Sequence, residues 1–330
     1  MAQLKQQFSD FIVEEQLGWP LSGDGEHHFY YVEKQGLTTE QAARKLAKAL
    51  SVPAKVVAFS GRKDKVALTR QWFSIQRPGQ ALIEHPDVEE LVVLKAGLHN
   101  RKLKTGAHRS NRFIITLRGV MDDGWQARWQ ALLINGAANY FGDQRFGVAN
   151  LEKASAWFRG EYRPRKSEQG MLLSAVRSQM FNEVLELRAS KNMLSEVLVG
   201  DVCLLGDSRS GFVVTQADLD DAQQRFSQQS IHISAPLFGA AGGLQATGEV
   251  LALEEAVAAR HPLWIQGLVE RQVKAARRST RLLVNHGHSE AVDGGQRFEF
   301  ELPAGAFATA LLAQVTTFED VSRAKYSANQ

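Results

Sequence analysis

Across 330 residues the chain has a single cysteine, Cys203. That excludes an intramolecular disulfide framework and supplies too little thiolate for a structural zinc site, so a reducing compartment, the cytoplasm, is expected. Cys203 stands in an apolar run with Val202, Leu204 and Leu205, where a lone thiol packs rather than reacts. No window approaches the roughly 18 apolar residues of a membrane span, and no early apolar stretch resembles a signal peptide. Nucleotide-cofactor fingerprints are missing too: there is no G-x-G-x-x-G after a strand and no Walker A loop, since the glycine-rich stretch 239–243 lacks the following Lys-Ser/Thr. A G-x-S-x-G elbow is also missing. His27-His28 and His286-x-His288 have no nearby cysteine or supporting carboxylate pattern, so no metal is expected. What remains is chemistry that needs neither metal nor cofactor.

Acid is missing from one long stretch. Between Glu90 and Asp122 there is no Asp or Glu, while Lys95, Arg101, Lys102, Lys104, Arg109, Arg112 and Arg118 all fall there. Such a stretch suits either a polyanion held through its phosphates or a basic exposed hairpin face. Arg271, Lys274, Arg277, Arg278 and Arg281 form a second basic run, at helical spacing.

The elements that are present divide the chain. Residues 8–15 and 28–33 read as strands, and a helix begins near Thr38, capped by a Thr38-x-x-Gln41 box or by Thr39 one residue on, ahead of Ala42, Ala43, Leu46, Ala47 and Leu50. Residues 112–117 alternate Phe113, Ile115 and Leu117 to one side. From about residue 151 amphipathic helical windows replace alternation, including 172–189, 249–260 and 263–283. Strict alternation returns at residues 297–302, RFEFEL, and a short helix is expected from Phe307. A strand after a helical block most simply rejoins the sheet it left. An inserted domain at 136–283 is therefore expected within an α+β unit made of 1–135 and 284–330.

One carboxylate stands out. In residues 59–74, FSGRKDKVALTRQWFS, Asp64 sits among Arg62, Lys63 and Lys65 in a turn between two runs of β-formers. By itself such a triplet reads as a solvated turn. An ionised Asp can also attack carbon directly, opening a glycosidic bond without metal or cofactor. Were the substrate a nucleoside within RNA, its base would need an aromatic platform, and Phe11, Phe113 and Phe307 are available for one, although a Phe in a strand or helix more often packs in a core.

The chain resembles the TruD family of tRNA pseudouridine synthases along nearly its whole length. The resemblance is carried by Asp10-Phe11-Ile12-Val13-Glu14-Glu15, Gly25-Glu26-His27, Gly61-Arg62-Lys63-Asp64-Lys65 with Thr69 and Gln71, and Asn111-Arg112-Phe113. Further along come Asn139-Tyr140-Phe141-Gly142, Gln144-Arg145-Phe146-Gly147, Leu302-Pro303-Ala304-Gly305 and Phe307-Ala308-Thr309, all in the family's order. It implies a mixed, mainly antiparallel pseudouridine-synthase sheet with helices, interrupted by a largely helical TRUD domain. It also implies isomerisation of a uridine in tRNA, at position 13 in bacterial members, with no cofactor and no obligatory protein partner. By the same resemblance Asp64 is the nucleophile and Lys5 its ion-pair partner. Phe11, Asn111 and Phe307 match substrate-binding positions, and Phe113 matches an aromatic that stacks on the base. Lys63, Arg101, Lys102, Lys104 and Arg145 are expected to contact RNA. After Thr309 this chain has Leu312-Ala313-Gln314 where the family often has Leu-Arg-Glu. Two other classes fit less of the chain: a non-catalytic RNA-binding or RNA-folding protein on the same fold, and an RNA methyltransferase, for which no methyl-donor site is found.

Overall fold

The computed structural model describes residues 1–142, 145–147, 149–206 and 210–322. They fall into two compact units. The first comprises 1–133, 284–306 and the residues from 315 onward, and the second comprises 134–283 with 307–314. The short segment 307–314 thus groups with the second unit, whereas the expected boundary leaves it with 284–330 in the sheet-bearing unit.

The first unit opens with β1 (Ala2–Leu4), β2 (Phe11–Gln16), β3 (His27–Gln35) and α1 (Thr39–Ala49). Then come β4 (Val57–Phe59), β5 (Leu68–Gln76), β6 (Leu91–His99), β7 (Ser110–Arg118) and α2 (Trp125–Asn135). The α1 start is the capping box read from the sequence: the Gln41 N–H donates to Thr38 Oγ1 at 3.1 Å and the Thr38 N–H to Gln41 Oε1 at 2.8 Å. Its stripe of Ala42, Ala43, Leu46, Ala47 and Leu50 packs on Tyr30, Val32, Phe73 and Ile75 of the sheet. Each fully buried Leu there contributes roughly 1.5–3 kcal/mol.

The second unit holds β8 (Ala137–Ala138), α3 (Asn150–Phe158), α4 (Lys166–Ser190), β9 (Val202–Leu205), β10 (Gly211–Val213) and α5 (Leu219–Ser227). It continues with β11 (Ile231–Leu237), α6 (Gly248–Ala258), α7 (Pro262–Glu270), β12 (Ala276–Ser279) and β13 (Arg281–Leu282). Its four-stranded sheet runs β10-β9-β11-β12, beside a core built on α4 through Val176, Met180, Phe181 and Val184. The window 263–283 is not one helix. α7 ends at Glu270, Gln272 takes a left-handed φ of 53°, and the chain then pairs as β12 against β11. Ser279 pairs with Ser234 of β11, the Thr280 N–H donates to the Ile233 carbonyl and Leu282 pairs with Ala137 of β8, and this pairing outweighs a charge spacing that merely fits a helix.

The chain closes with β14 (Asn285–Val292), β15 (Gly295–Pro303), α8 (Ala308–Leu312) and β16 (Phe318–Asp320). The alternation in RFEFEL buries Phe298, Phe300 and Leu302, and β15 joins the first unit's sheet with Phe300 opposite Phe113 and Phe298 opposite Ile115. That 10-stranded sheet has the main order β14-β15-β7-β2-β5-β3-β6. It is mixed and mainly antiparallel, with β2 and β5 parallel at its centre. No described helix is long and apolar enough to cross a membrane.

Candidate active site

The segment between β4 and β5 forms no regular structure, and the sheet ties it down from residue to residue. Ser60 Oγ accepts the His108 N–H at 2.8 Å and lies 2.6 Å from His108 Nδ1. The Gly61 carbonyl accepts from Gln71 Nε2, and the Lys63 N–H donates to Thr39 Oγ1 at 2.9 Å, itself bonded to Gln71. Lys34 Nζ donates to the Asp64 carbonyl at 3.0 Å and to the Leu37 carbonyl at 2.7 Å. An irregular loop normally leaves such backbone groups to water; here buried side chains satisfy them, so the loop is held in one shape.

Asp64 emerges from this loop with 35% of its side-chain surface exposed, and Lys5 Nζ donates to its Oδ2 at 3.1 Å. Lys5 is only 3% exposed, so a ligand can meet the carboxylate but not the ammonium. Lys5 lies between β1 and the turn into β2 with a left-handed φ of 63°, a conformation costing of order 1–3 kcal/mol outside glycine. Its Nζ sits 4.4 Å from the Phe11 ring centre and 3.7 Å from Asp320 Oδ2. Lys34, 1% exposed, is depressed to about 8, chiefly by burial, with the Asp64 charge opposing that fall and Lys63 adding to it.

Lys63, expected to meet RNA, is turned inward instead. Its side chain is 6% exposed and its Nζ lies 2.5 Å from Oε2 of Glu15, which is fully buried on β2. A buried carboxylate requires a cation, and the loop supplies this one. Arg62 faces the other way, 82% exposed against Glu40.

Asn111 and Phe113 stand on β7, Phe11 on β2. Asn111 Nδ2 lies 3.3 Å from His108 Nε2, while its Oδ1 is buried with no hydrogen-bond partner. Burial, and then Lys63, push His108 below the ordinary histidine range, so its ring is neutral at pH 7. Phe113 is buried, stacked on Phe300 at 5.6 Å with Phe11 edge-on at 6.3 Å, so one of its faces is already covered.

The acid-free stretch is not a hairpin. β6 is the last strand of the sheet path and β7 lies inside it, so residues 100–109 cross the ends of β3, β5 and β2. Leu103 anchors the crossing in the core, its N–H bonded to Ser74 Oγ at 3.0 Å, and Arg101, Lys102 and Lys104 around it are exposed. The Gly106 N–H donates to the Ser60 carbonyl at 2.8 Å, so this basic loop is fastened to the Asp64 loop. Where the crossing starts, Gly25 (φ 105°) packs so tightly that a Cβ would stand 2.5 Å from the His99 carbonyl oxygen.

Arg145 and Phe307 belong to the second unit. The Arg145 guanidinium lies over the Phe141 and Phe307 rings, at 5.3 and 5.4 Å from their centres. Gln144 of the same motif lies outside the described residues. The second basic run is dispersed rather than gathered on a helix face. Arg271 stacks on Trp157 and Phe158, Arg277 pairs with Glu254, Arg278 lies over Phe141, and Arg281 lies over Phe226. Gln314, standing where the family often has Glu, clamps Ala138 by accepting its N–H and donating to its carbonyl, both at 3.0 Å. Among the described residues there is no cluster of three or more His, Cys, Asp or Glu fit to hold a metal.

Residue patterns alone missed Lys34 and Thr39, because a lysine in an alternating strand and a threonine at a helix start look ordinary. Only the path of the 60–67 loop over them shows their task.

A sheet interrupted by a second unit, with a reachable carboxylate on a fixed loop, fits an enzyme that works by carboxylate chemistry. The family model for tRNA pseudouridine synthase D (TruD) matches residues 1–155 and 165–315. The chain is 41% identical over 326 residues to tRNA pseudouridine synthase D of Pseudomonas entomophila, covering 95% of this chain and 91% of that one. It is 37% identical over 334 residues to the protein of the same name from Colwellia psychrerythraea, covering 97% and 90%. A crystal structure from Methanosarcina mazei, provisionally assigned as tRNA pseudouridine synthase D (TruD), superposes with a TM-score of 0.73 at 21% identity over 96% of this chain and 93% of that one, a likeness of fold. The chain belongs to the tRNA pseudouridine synthase D (TruD) family.

Proposed function

We propose that this member of the family isomerises a uridine of tRNA, at position 13, to pseudouridine with Asp64 as the covalent nucleophile. The observation that carries the reading is the Asp64 carboxylate itself, reachable by a ligand, ion-paired with a buried lysine, and set on a loop held by side-chain hydrogen bonds. Such a carboxylate attacks the ribose or the uracil ring. The N-glycosidic bond breaks, the uracil turns, and carbon 5 bonds to the ribose while the bond to Asp64 is released; the C5 proton leaves for solvent and N1 takes one up, so atoms balance with no co-substrate. Lys5 orients the attacking group through a charge-assisted hydrogen bond. The buried, partnerless Asn111 Oδ1 is an acceptor for a base N–H, and Phe11 and Phe113 are aromatic surfaces for the flipped nucleoside. Family resemblance gives Phe307 a substrate-binding role as well. The first unit carries the chemistry, while the exposed 101–104 crossing holds tRNA phosphates. The reading puts this work in the cytoplasm, supported by the tRNA substrate it assumes and by the single cysteine, and it invokes no protein partner.

The test is to mix purified protein, unmodified tRNA and buffer with no other addition, and to follow tritium release from C5-labelled uridine. Wild type should turn over and Asp64→Asn should not, while tRNA affinity stays within a few-fold. Turnover by Asp64→Asn would remove Asp64 as nucleophile. Binding without turnover by wild type would leave a tRNA-folding protein on the same fold.

A further inference from the structure

Among the described residues, two arginines of the second unit have no counter-ion. Arg278, on β12, lies with its guanidinium 4.2 Å from the centre of the Phe141 ring and 5.7 Å from that of Phe181. Arg145 lies over the same Phe141 ring and over Phe307. Among the described residues neither has a carboxylate within ion-pair distance, and each has a buried Nε with no hydrogen-bond partner. Arg277, the immediate neighbour of Arg278, shows the ordinary arrangement, with Glu254 at 2.6 Å and Ser234 filling its donors. The pair is nonetheless held in place. Arg278 Nη2 donates to Asn139 Oδ1 at 2.5 Å, and Asn139 Nδ2 is fixed on the Ser279 carbonyl. Phe141, the shared platform, is clamped through both its N–H and its carbonyl by Asn182, each at 2.9 Å. Burial, and for Arg278 also the Arg145 charge, pushes both guanidinium groups down, Arg278 to about 10. Holding two like charges on one ring without an acid is unfavourable by itself, and an anion reaching both removes the cost.

We propose that Arg145 and Arg278, set on Phe141 by Asn139 and Asn182, form a binding site for a backbone phosphate of the RNA substrate. Guanidinium forks match a phosphate's geometry, and cations placed beside aromatic faces are the usual composition of a single-strand nucleic-acid site. A protein carboxylate meets the same cations without using the neighbouring Phe307 face, so RNA is the occupant the surroundings favour. This inference rests on tRNA being the substrate but not on Asp64 being the nucleophile.

The experiment measures affinity of the full chain for unmodified tRNA over a range of salt concentrations, with thermal unfolding of each variant alongside. For Arg145→Gln and Arg278→Gln, affinity at fixed salt should fall about tenfold. The slope of log affinity against log salt should become shallower by about 1 per arginine removed. Arg278→Lys should keep most of the slope while losing affinity. If Arg278→Gln does not fold, Arg145→Gln and Arg278→Lys carry the same comparison. An unchanged slope in folded Arg145→Gln and Arg278→Gln overturns the proposal and leaves the pair as packing. Inorganic phosphate is the second probe. If phosphate raises the wild-type unfolding temperature and the tRNA slope still does not change, the site takes a free anion, and RNA binding there is equally overturned. Running Asp64→Asn beside these separates the two readings, because turnover by that variant sinks the nucleophile assignment without touching the slopes.

Discussion

Charge is handled in opposite ways at two places, around Asp64 in the first unit and on the Phe141 ring in the second. Around Asp64 two buried cations have carboxylate partners, Lys5 in Asp64 and Asp320 and Lys63 in Glu15, while the Lys34 ammonium is held by two carbonyls. On the Phe141 ring of the second unit two guanidinium groups share an aromatic platform with no described acid. A compensated network fixes one geometry before any ligand arrives, as a reacting carboxylate needs. An uncompensated pair instead favours whatever anion completes it. On the proposed reading the difference separates groups that shape a catalytic loop from groups that hold a substrate, although in the sequence all of them are simply Lys and Arg.

The largest expected effect would break the compensated side. Glu15→Gln leaves Lys63 buried without its partner and should cost about 3–5 kcal/mol in denaturant unfolding. Lys63→Met should likewise lower stability and leave the salt dependence of tRNA binding unchanged. A shallower salt slope in Lys63→Met would return that lysine to the RNA surface.

Lys34 gives a pH signature. Its folded value of about 8 lies below the ordinary 10.5, so between those pH values the unfolded chain holds a proton that the folded chain has shed. Stability of wild type relative to Lys34→Met should therefore rise as pH goes from 8 to 10.5, by up to a few kcal/mol, with the full burial penalty present below pH 8. A flat difference across that window would mean the ammonium is not strained by burial.

A smaller effect is expected at the crossing loop. Reversing Arg101, Lys102 and Lys104 to Glu should weaken tRNA binding and flatten its salt dependence by about 1 for each phosphate no longer held, without lowering the unfolding temperature. An unchanged slope would leave these exposed cations as solubility groups. The smallest effect belongs to Arg62. Its pair with Glu40 is largely in solvent, and Arg62→Ala should change stability by no more than about 0.5 kcal/mol in the same unfolding measurement.

Much of the first unit was legible before any coordinates. The capping box at Thr38, the alternation of residues 112–117 and its return at 297–302 are local patterns with a fixed period, and local backbone preference and burial act on them directly. The motif around Asp64 was visible for the same reason, being contiguous. Long-range pairing was not legible. Lys5 and Asp64 lie 59 residues apart, and the residue patterns held no distance between them, so only the resemblance joined them.

The sequence by itself determined the capped helix and the alternating strands of the first unit, the acid-free stretch, the absence of cofactor motifs and the family, because each is written in neighbouring residues or in their order. Tertiary structure alone decided which way each charge faces. It turned Lys63 onto a buried glutamate, drew the 100–109 stretch across strand ends, and converted the 271–281 run from a helical stripe into β12 and β13 with arginines on separate aromatic rings. The physical reason is that a charged side chain answers to the dielectric and the partners brought to it by distant strands, and one-dimensional spacing holds no record of those.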